Sequence, residues 1–162
     1  MDDYSIRAAD EYRIQKERFA VTLTLASGEQ IRGHIFVPPQ MFAYIGREEP
    51  IDLFNELEPF FPIEVEGGEV LLIAKDRVME VAGLPAPEED ELRRASARMA
   101  LVQIALSGGA VRFGSVRLEL RADRPRLLDY LNCATERFLT LYTDRDVRLV
   151  NRAMIECVRP LD

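Results

Sequence analysis

A mainly β fold with short helices, arranged as two tandem lobes, is what this sequence predicts, and three observations predict it. The first is self-similarity. Val21–Gly28 is answered by Val102–Gly109 and Gly33–Val37 by Gly114–Leu118. Asp52-Leu-Phe-Asn55 is answered by Asp129-Tyr-Leu-Asn132, Phe60–Glu66 by Phe138–Asp144, and Val70–Lys75 by Val147–Arg152. Repetition at a fixed period marks one structural unit used twice. The second observation is alternation: Val21, Leu23 and Leu25 are separated by Thr22 and Thr24, the period-two pattern of a half-buried strand. The third is size. With 162 residues and 48% hydrophobic side chains the chain is globular, but each half stands near the length at which a lone core is marginal. The two lobes, residues 1–84 and 85–162, are therefore expected to pack on each other.

The elements can be justified in order. Residues 5–18 lack Gly and Pro and space Ile6, Ala9, Tyr12 and Ile14 as a helix does. Val21–Leu25 is the first strand. Ser27-Gly28-Glu29 supplies a tight turn, and Ile31–Val37 returns until Pro38-Pro39 ends the ladder. Residues 40–49 form a loop carrying Phe42 and Tyr44. Pro50 opens a short helix over Ile51–Leu57, since its fixed φ suits the first helical position. Phe60–Glu66, the Gly67-Gly68 hairpin turn and the run Val70–Ala74, continuously apolar and so expected to be a buried strand, follow. Lys75-Asp76-Arg77 is a sharp turn before a last short strand, Val78–Val81. Gly83–Pro87 is the linker. Glu88–Met99 reads as a helix with acidic residues first and arginines late, the order that suits the helix dipole. The second lobe repeats the plan, with strands near 100–106 and 110–120, a helix near 125–133, and strands near 138–143, 146–151 and 154–158.

No apolar run approaches the roughly 18–20 residues that span a bilayer, and Met1-Asp2-Asp3-Tyr4 is acidic where a signal peptide is basic, so a cytoplasmic, non-membrane protein is expected. Cys133 and Cys157 have no counterparts in the first repeat, and with His34 they are too few for a structural zinc site. No cofactor is expected. A net charge of −7 opposes binding driven by phosphate contacts, although the second repeat is rich in arginine, including Arg112, Arg126, Arg148 and Arg152.

Chemistry-bearing patterns are sparse. In Asp52-x-x-Asn55 and Asp129-x-x-Asn132 each pair shares a helix face, where it could present a carboxylate and an amide to a partner. The same residues suit helix ends and turns, where they satisfy backbone groups, and both readings stay open. His34 lacks the partners that acid–base work requires. Gly28-x-x-x-x-Gly33 lacks the Lys-Ser/Thr of a phosphate loop, so its glycines fit a hairpin and a close backbone approach. Arg94-Ala-Ser-Ala-Arg98 has the R-x-x-x-R spacing of PilZ domains, but Ala105 stands where their downstream Asp/Asn would precede Ser107.

Two resemblances follow from these residues. Leu25-x-x-Gly28-x-x-x-x-Gly33, Asp129-Tyr-Leu-Asn132 and Val150–Ile155, in their order of elements, resemble a Sm-like barrel, the SH3-like fold of RNA-binding rings. Arg152-Ala153 and Lys75-Asp76 stand where Sm proteins carry arginine-glycine, and a helix replaces a short loop. Arg126-Leu-Leu-Asp129-Tyr-Leu-Asn132 followed by Phe138-Leu-Thr-Leu141 is similar to the R-L-S-D-x-L-N signature of a bacterial family of small uncharacterised domains, with Leu128 in place of serine. The resemblances imply two tandem Sm/SH3-like β-barrel lobes related by internal duplication. They imply no reaction. The expected function is a non-catalytic interaction or regulatory module that binds a protein partner, with homo-oligomerisation as a further option. Its candidate contacts are Asp129, Asn132, Asp52, Asn55, Phe42, Tyr44, Arg126 and Arg152. The alternative is a nucleic-acid module built on the second lobe's arginines.

Overall fold

Among the described residues, glycine turns and alternating apolar residues produce ten strands in one antiparallel sheet. In chain order these are β1 (Glu17–Leu25), β2 (Gln30–Val37), β3 (Phe60–Val65), β4 (Val70–Ala74), β5 (Val78–Leu84), β6 (Arg98–Leu106), β7 (Val111–Leu118), β8 (Phe138–Tyr142), β9 (Val147–Asn151) and β10 (Ile155–Pro160). Helix α1 (Pro50–Asn55) precedes β3, and α2 (Leu127–Cys133) precedes β8. The structure, a computed structural model, describes residues 17–37, 49–86, 98–118 and 126–161.

The strand order is β10-β6-β7-β8-β9-β5-β1-β2-β3-β4. Each half uses the same order, with its fifth strand beside its first: β5-β1-β2-β3-β4 and β10-β6-β7-β8-β9. The cause is local and occurs twice. A three-residue 3-10 turn, Lys75–Arg77 after β4 and Arg152–Met154 after β9, redirects the chain so that the next strand pairs with β1 or β6 instead of folding back. Both of those pairings carry an irregularity at the same place, beside Leu25 in one half and beside Ile155 in the other. The halves join through β5 and β9, with Glu80 opposite Val150, Val81 opposite Leu149 and Leu84 opposite Val147. The ten-stranded sheet does not close on itself; among the described residues its two ends are β4 and β10.

Turn chemistry follows the sequence. Gly28 has φ +91° in the β1–β2 turn, where the Leu25 N–H donates to Glu29 O and the Gly28 N–H to Leu25 O. Gly33 and Gly114 serve a different need. A Cβ on Gly33 would stand 2.5 Å from Glu64 O, and one on Gly114 2.7 Å from Tyr142 O, so only glycine lets β3 and β8 cross so close to β2 and β7.

The core lies in two clusters that share material across the junction. The first-half cluster, around Leu23, Ile35, Phe54, Phe61 and Ile63, also takes in Phe138, Val147 and Leu149 from the second half. The second-half cluster, around Ile104, Leu106, Val116 and Leu141, takes in Met79 from the first. Phe54 packs edge-on against both Phe61 and Phe138, with ring centroids 5.0 and 5.8 Å apart.

Several sequence expectations are corrected. Glu17 and Arg18, assigned to an N-terminal helix, belong to β1, and the remainder of that segment lies outside the described residues. Arg98 and Met99, assigned to the end of a second helix, open β6; there, pairing with Leu118 and Arg117 of β7 overrides local helix preference, and residues 87–97 lie outside the description. Helix α1 ends at Asn55, earlier than Leu57. The loop bearing Phe42 and Tyr44 lies outside the described residues. No described helix is long and apolar enough to cross a membrane.

Candidate functional site: the open edge at β4

The Asp-x-x-Asn pairs are the natural starting point, and the structure gives their members different roles. The Glu49 N–H donates to Asp52 Oδ2 at 2.9 Å, so Asp52 fixes the start of α1. Asn55, at the other end of α1, reaches into the second half: its Oδ1 accepts from the Phe138 N–H at 2.9 Å. Asp129 pairs with Arg126 at 2.9 and 3.3 Å across the exposed start of α2, and this bond holds the Arg126 guanidinium above its ordinary pKa. Asn132, at the position that Asn55 holds in α1, is exposed.

Arg152 is not free for a ligand. Its guanidinium donates to the carbonyls of Leu131 and Ala134, and to Glu136 O at 3.3 Å, tying the end of α2 to the 3-10 turn. Lys75 does the same in the first half, donating from Nζ to Glu56 O at 3.3 Å. Lys75 is 1% exposed, and desolvation lowers its pKa below the usual lysine value, assisted by Arg137 and opposed by Glu56 and Glu58.

Several of the second lobe's described arginines are engaged within the fold. Arg112 Nε and Arg148 Nη1 both donate to the buried Glu80 carboxylate, the latter at 3.1 Å. Arg117 lies over the Tyr142 ring at 5.6 Å, and Arg137 approaches Asp76 at 3.5 Å. The Glu80–Arg112–Arg148 cluster escaped the sequence reading. A signal was present, a lone carboxylate inside the apolar run Val78-Met79-Glu80-Val81. It clamps β5 to β9, while Asn151 Nδ2 donates to Val78 O at 2.9 Å and to Asp76 O at 3.3 Å across the same junction.

No group of three or more His, Cys, Asp or Glu side chains among the described residues could hold a metal. The described surface includes a shallow groove of about 490 Å³ beside Arg18, Arg32, His34 and Glu64, and another of about 440 Å³ beside Phe113, Asp144 and Arg145. Each lies against a hairpin turn and is open to solvent.

The feature without a structural explanation is the β4 edge. Phe60, Val70 and Leu72 are 57%, 53% and 72% exposed. The residues at the same positions of β8 and β9, namely Phe138, Val147 and Leu149, are 0%, 4% and 0% exposed because β5 and the first core cover them. Leu57, just before β3, is exposed as well. Among the described residues the β4 edge therefore combines unpaired backbone donors and acceptors with a row of solvated apolar side chains, where edge strands are ordinarily blunted with charge or proline. Neither a family model, nor a curated protein, nor a solved structure matches this chain.

Proposed function

We propose that this protein is a non-catalytic, cytoplasmic interaction module that captures a protein partner by strand addition at β4. On this reading the chain is an internally duplicated pair of Sm/SH3-like barrel lobes, fused copies of the small bacterial domain that its Arg126–Asn132 segment resembles. The observation that carries it is the contrast between β4 and β9: the same positions that β5 covers in one half stand solvated in the other. An added strand satisfies the open backbone groups, and pockets for alternate side chains give selectivity. Arg112, Arg148, Arg126, Arg137 and Arg152 engage internal acceptors, and the chain carries a net charge of −7, which favours a protein over a nucleic acid.

The test is affinity capture with the wild type and a Leu72→Lys variant, with and without nuclease, after the variant's thermal midpoint is shown to match. A partner retained after nuclease and lost in Leu72→Lys supports strand addition at β4. A partner that vanishes with nuclease and is indifferent to Leu72 supports the nucleic-acid alternative.

A further inference from the structure

The β5–β9 junction is itself an instance of strand addition, and the two open ends of the sheet are the unused counterparts of its two sides. Strand β10 holds in the second half the place that β5 holds in the first, and β4 holds the place of β9. We propose that the occupant of β4 is β10 of a second copy of this chain, giving a head-to-tail assembly that continues the internal junction. This assembly rests on the edge-binding reading above and names its partner.

The register is fixed by the internal pairing. Val150 opposite Glu80 becomes Ile73 opposite Cys157, and Leu149 opposite Val81 becomes Leu72 opposite Val158; the correspondence stops there, because Pro160 cannot take the φ of +95° that Gly83 has within the register shift before Leu84. Phe60, Val70 and Leu72 would then enter the second core of the neighbouring copy as Phe138, Val147 and Leu149 enter the first core within the chain. Asn132 of the neighbouring copy would accept from the Phe60 N–H as Asn55 accepts from Phe138.

Complementarity between the two outer edges supports this pairing. Inside the chain, buried Glu80 on β5 meets Arg112 on β7 and Arg148 on β9. The corresponding outer residues are Cys157 on β10, Ile31 on β2 and Leu71 on β4. At these positions an acid and its two bases are replaced together by three groups without charge, while Met79 and Met154, which share the second core, correspond to Glu156 of β10 and Arg77 beside β4, an acid and a base that the outer junction would bring together. A partner of unrelated sequence has no reason to match both edges at once. The outer junction lacks equivalents of the Asn151 bonds, since Ala74 stands there, and of the Arg137–Asp76 pair, since Pro59 and Ala153 do. It is therefore weaker than the inner one and concentration-dependent.

Cross-linking of full-length chains in a Cys133→Ser/Cys157→Ser background tests the register. One population carries Leu72→Cys, the other Val158→Cys, and the two are oxidised separately and mixed. Directly opposed antiparallel residues have Cβ atoms about 4.5–5.5 Å apart, within disulfide reach. The expected result is a covalent dimer in the mixture well above either population alone, and weak for the off-register mixture of Val70→Cys with Val158→Cys. In sedimentation, Leu72→Lys should weaken self-association of the otherwise native chain by about tenfold or more. A mixture no richer in dimer than its components, or Leu72→Cys chains that link efficiently to each other, would overturn the assembly. If cross-linking fails while Leu72→Lys still abolishes capture of another protein, edge binding stands and self-assembly falls. If Leu72→Lys affects neither, both fall.

Discussion

Strands β9 and β4 occupy the same place in their respective halves, yet one is almost wholly buried and the other is largely open to solvent. In β9, Val147, Leu149, Val150 and Asn151 are all buried, and the strand is paired on both sides by β8 and β5. In β4, only Ile73 is buried, and β3 is its single partner among the described residues. The difference does not come from hydrophobicity, because Val70-Leu71-Leu72-Ile73-Ala74 is the more apolar of the two segments. It comes from what lies beside each strand. Apolar character alone says that a strand can be buried; its neighbour decides whether it is.

The comparison breaks most sharply at the shared phenylalanines. Phe138→Ala should cost about 3–5 kcal/mol, because it empties space beside Phe54 in a filled core. Phe60→Ala should change the stability of the dilute chain by no more than about 0.5 kcal/mol, since the ring is mostly solvated. Denaturant titrations of the two variants read the contrast directly, and equal costs would mean the two positions are not related as described.

The ionic clamp offers the next test. Glu80→Gln leaves two guanidinium groups at the junction without their carboxylate and should destabilise by about 3 kcal/mol. Transplanting the outer set inward, Glu80→Cys with Arg112→Ile and Arg148→Leu, should recover most of that loss, because a buried ion cluster replaced whole by apolar groups is often neutral. A triple variant less stable than Glu80→Gln would show that the outer residues are not a working substitute.

A smaller effect is expected at the amides. Asn55→Ala leaves the Phe138 N–H without its acceptor at a part-buried site and should cost about 1–2 kcal/mol. Asn132→Ala, at the exposed position, should be within about 0.5 kcal/mol of wild type in the dilute chain and should weaken self-association instead.

The smallest effect is a pH dependence. Lys75 has a folded pKa below 10.5, so between that lowered value and 10.5 the unfolded chain binds more protons than the folded one. Stability from this group therefore rises with pH through that window and is flat below it. The difference in unfolding free energy between wild type and Lys75→Met should follow this rise, and a difference independent of pH would remove the buried ammonium from the account.

Much of the local structure was legible in the sequence for physical reasons that act over a few residues. Alternation marked β1, and the glycines marked the turns at Gly28 and Gly67-Gly68 and the close crossing at Gly33. Long-range facts were not legible. Asn55 looks like a helix-end residue, and its acceptor role appears only when Phe138, 83 residues away, is brought to it. Arg152 looks like a surface cation, but the turn it occupies aims it back at the end of α2. The end of the predicted second helix failed at Arg98 because pairing with β7, invisible to local periodicity, decides its conformation. The open edge at β4 was hidden for the same reason: an apolar strand reads as buried until its neighbours are counted.

The most direct test of the central claim is amide hydrogen exchange of β4 measured against β9 over a range of protein concentration. The β9 amides should be protected to the level of global unfolding at every concentration. The β4 amides should exchange quickly in dilute solution and gain protection on concentration together with those of β10, as the outer edges meet. Exchange at β4 that stays fast and independent of concentration, with β10 equally indifferent, would contradict the account.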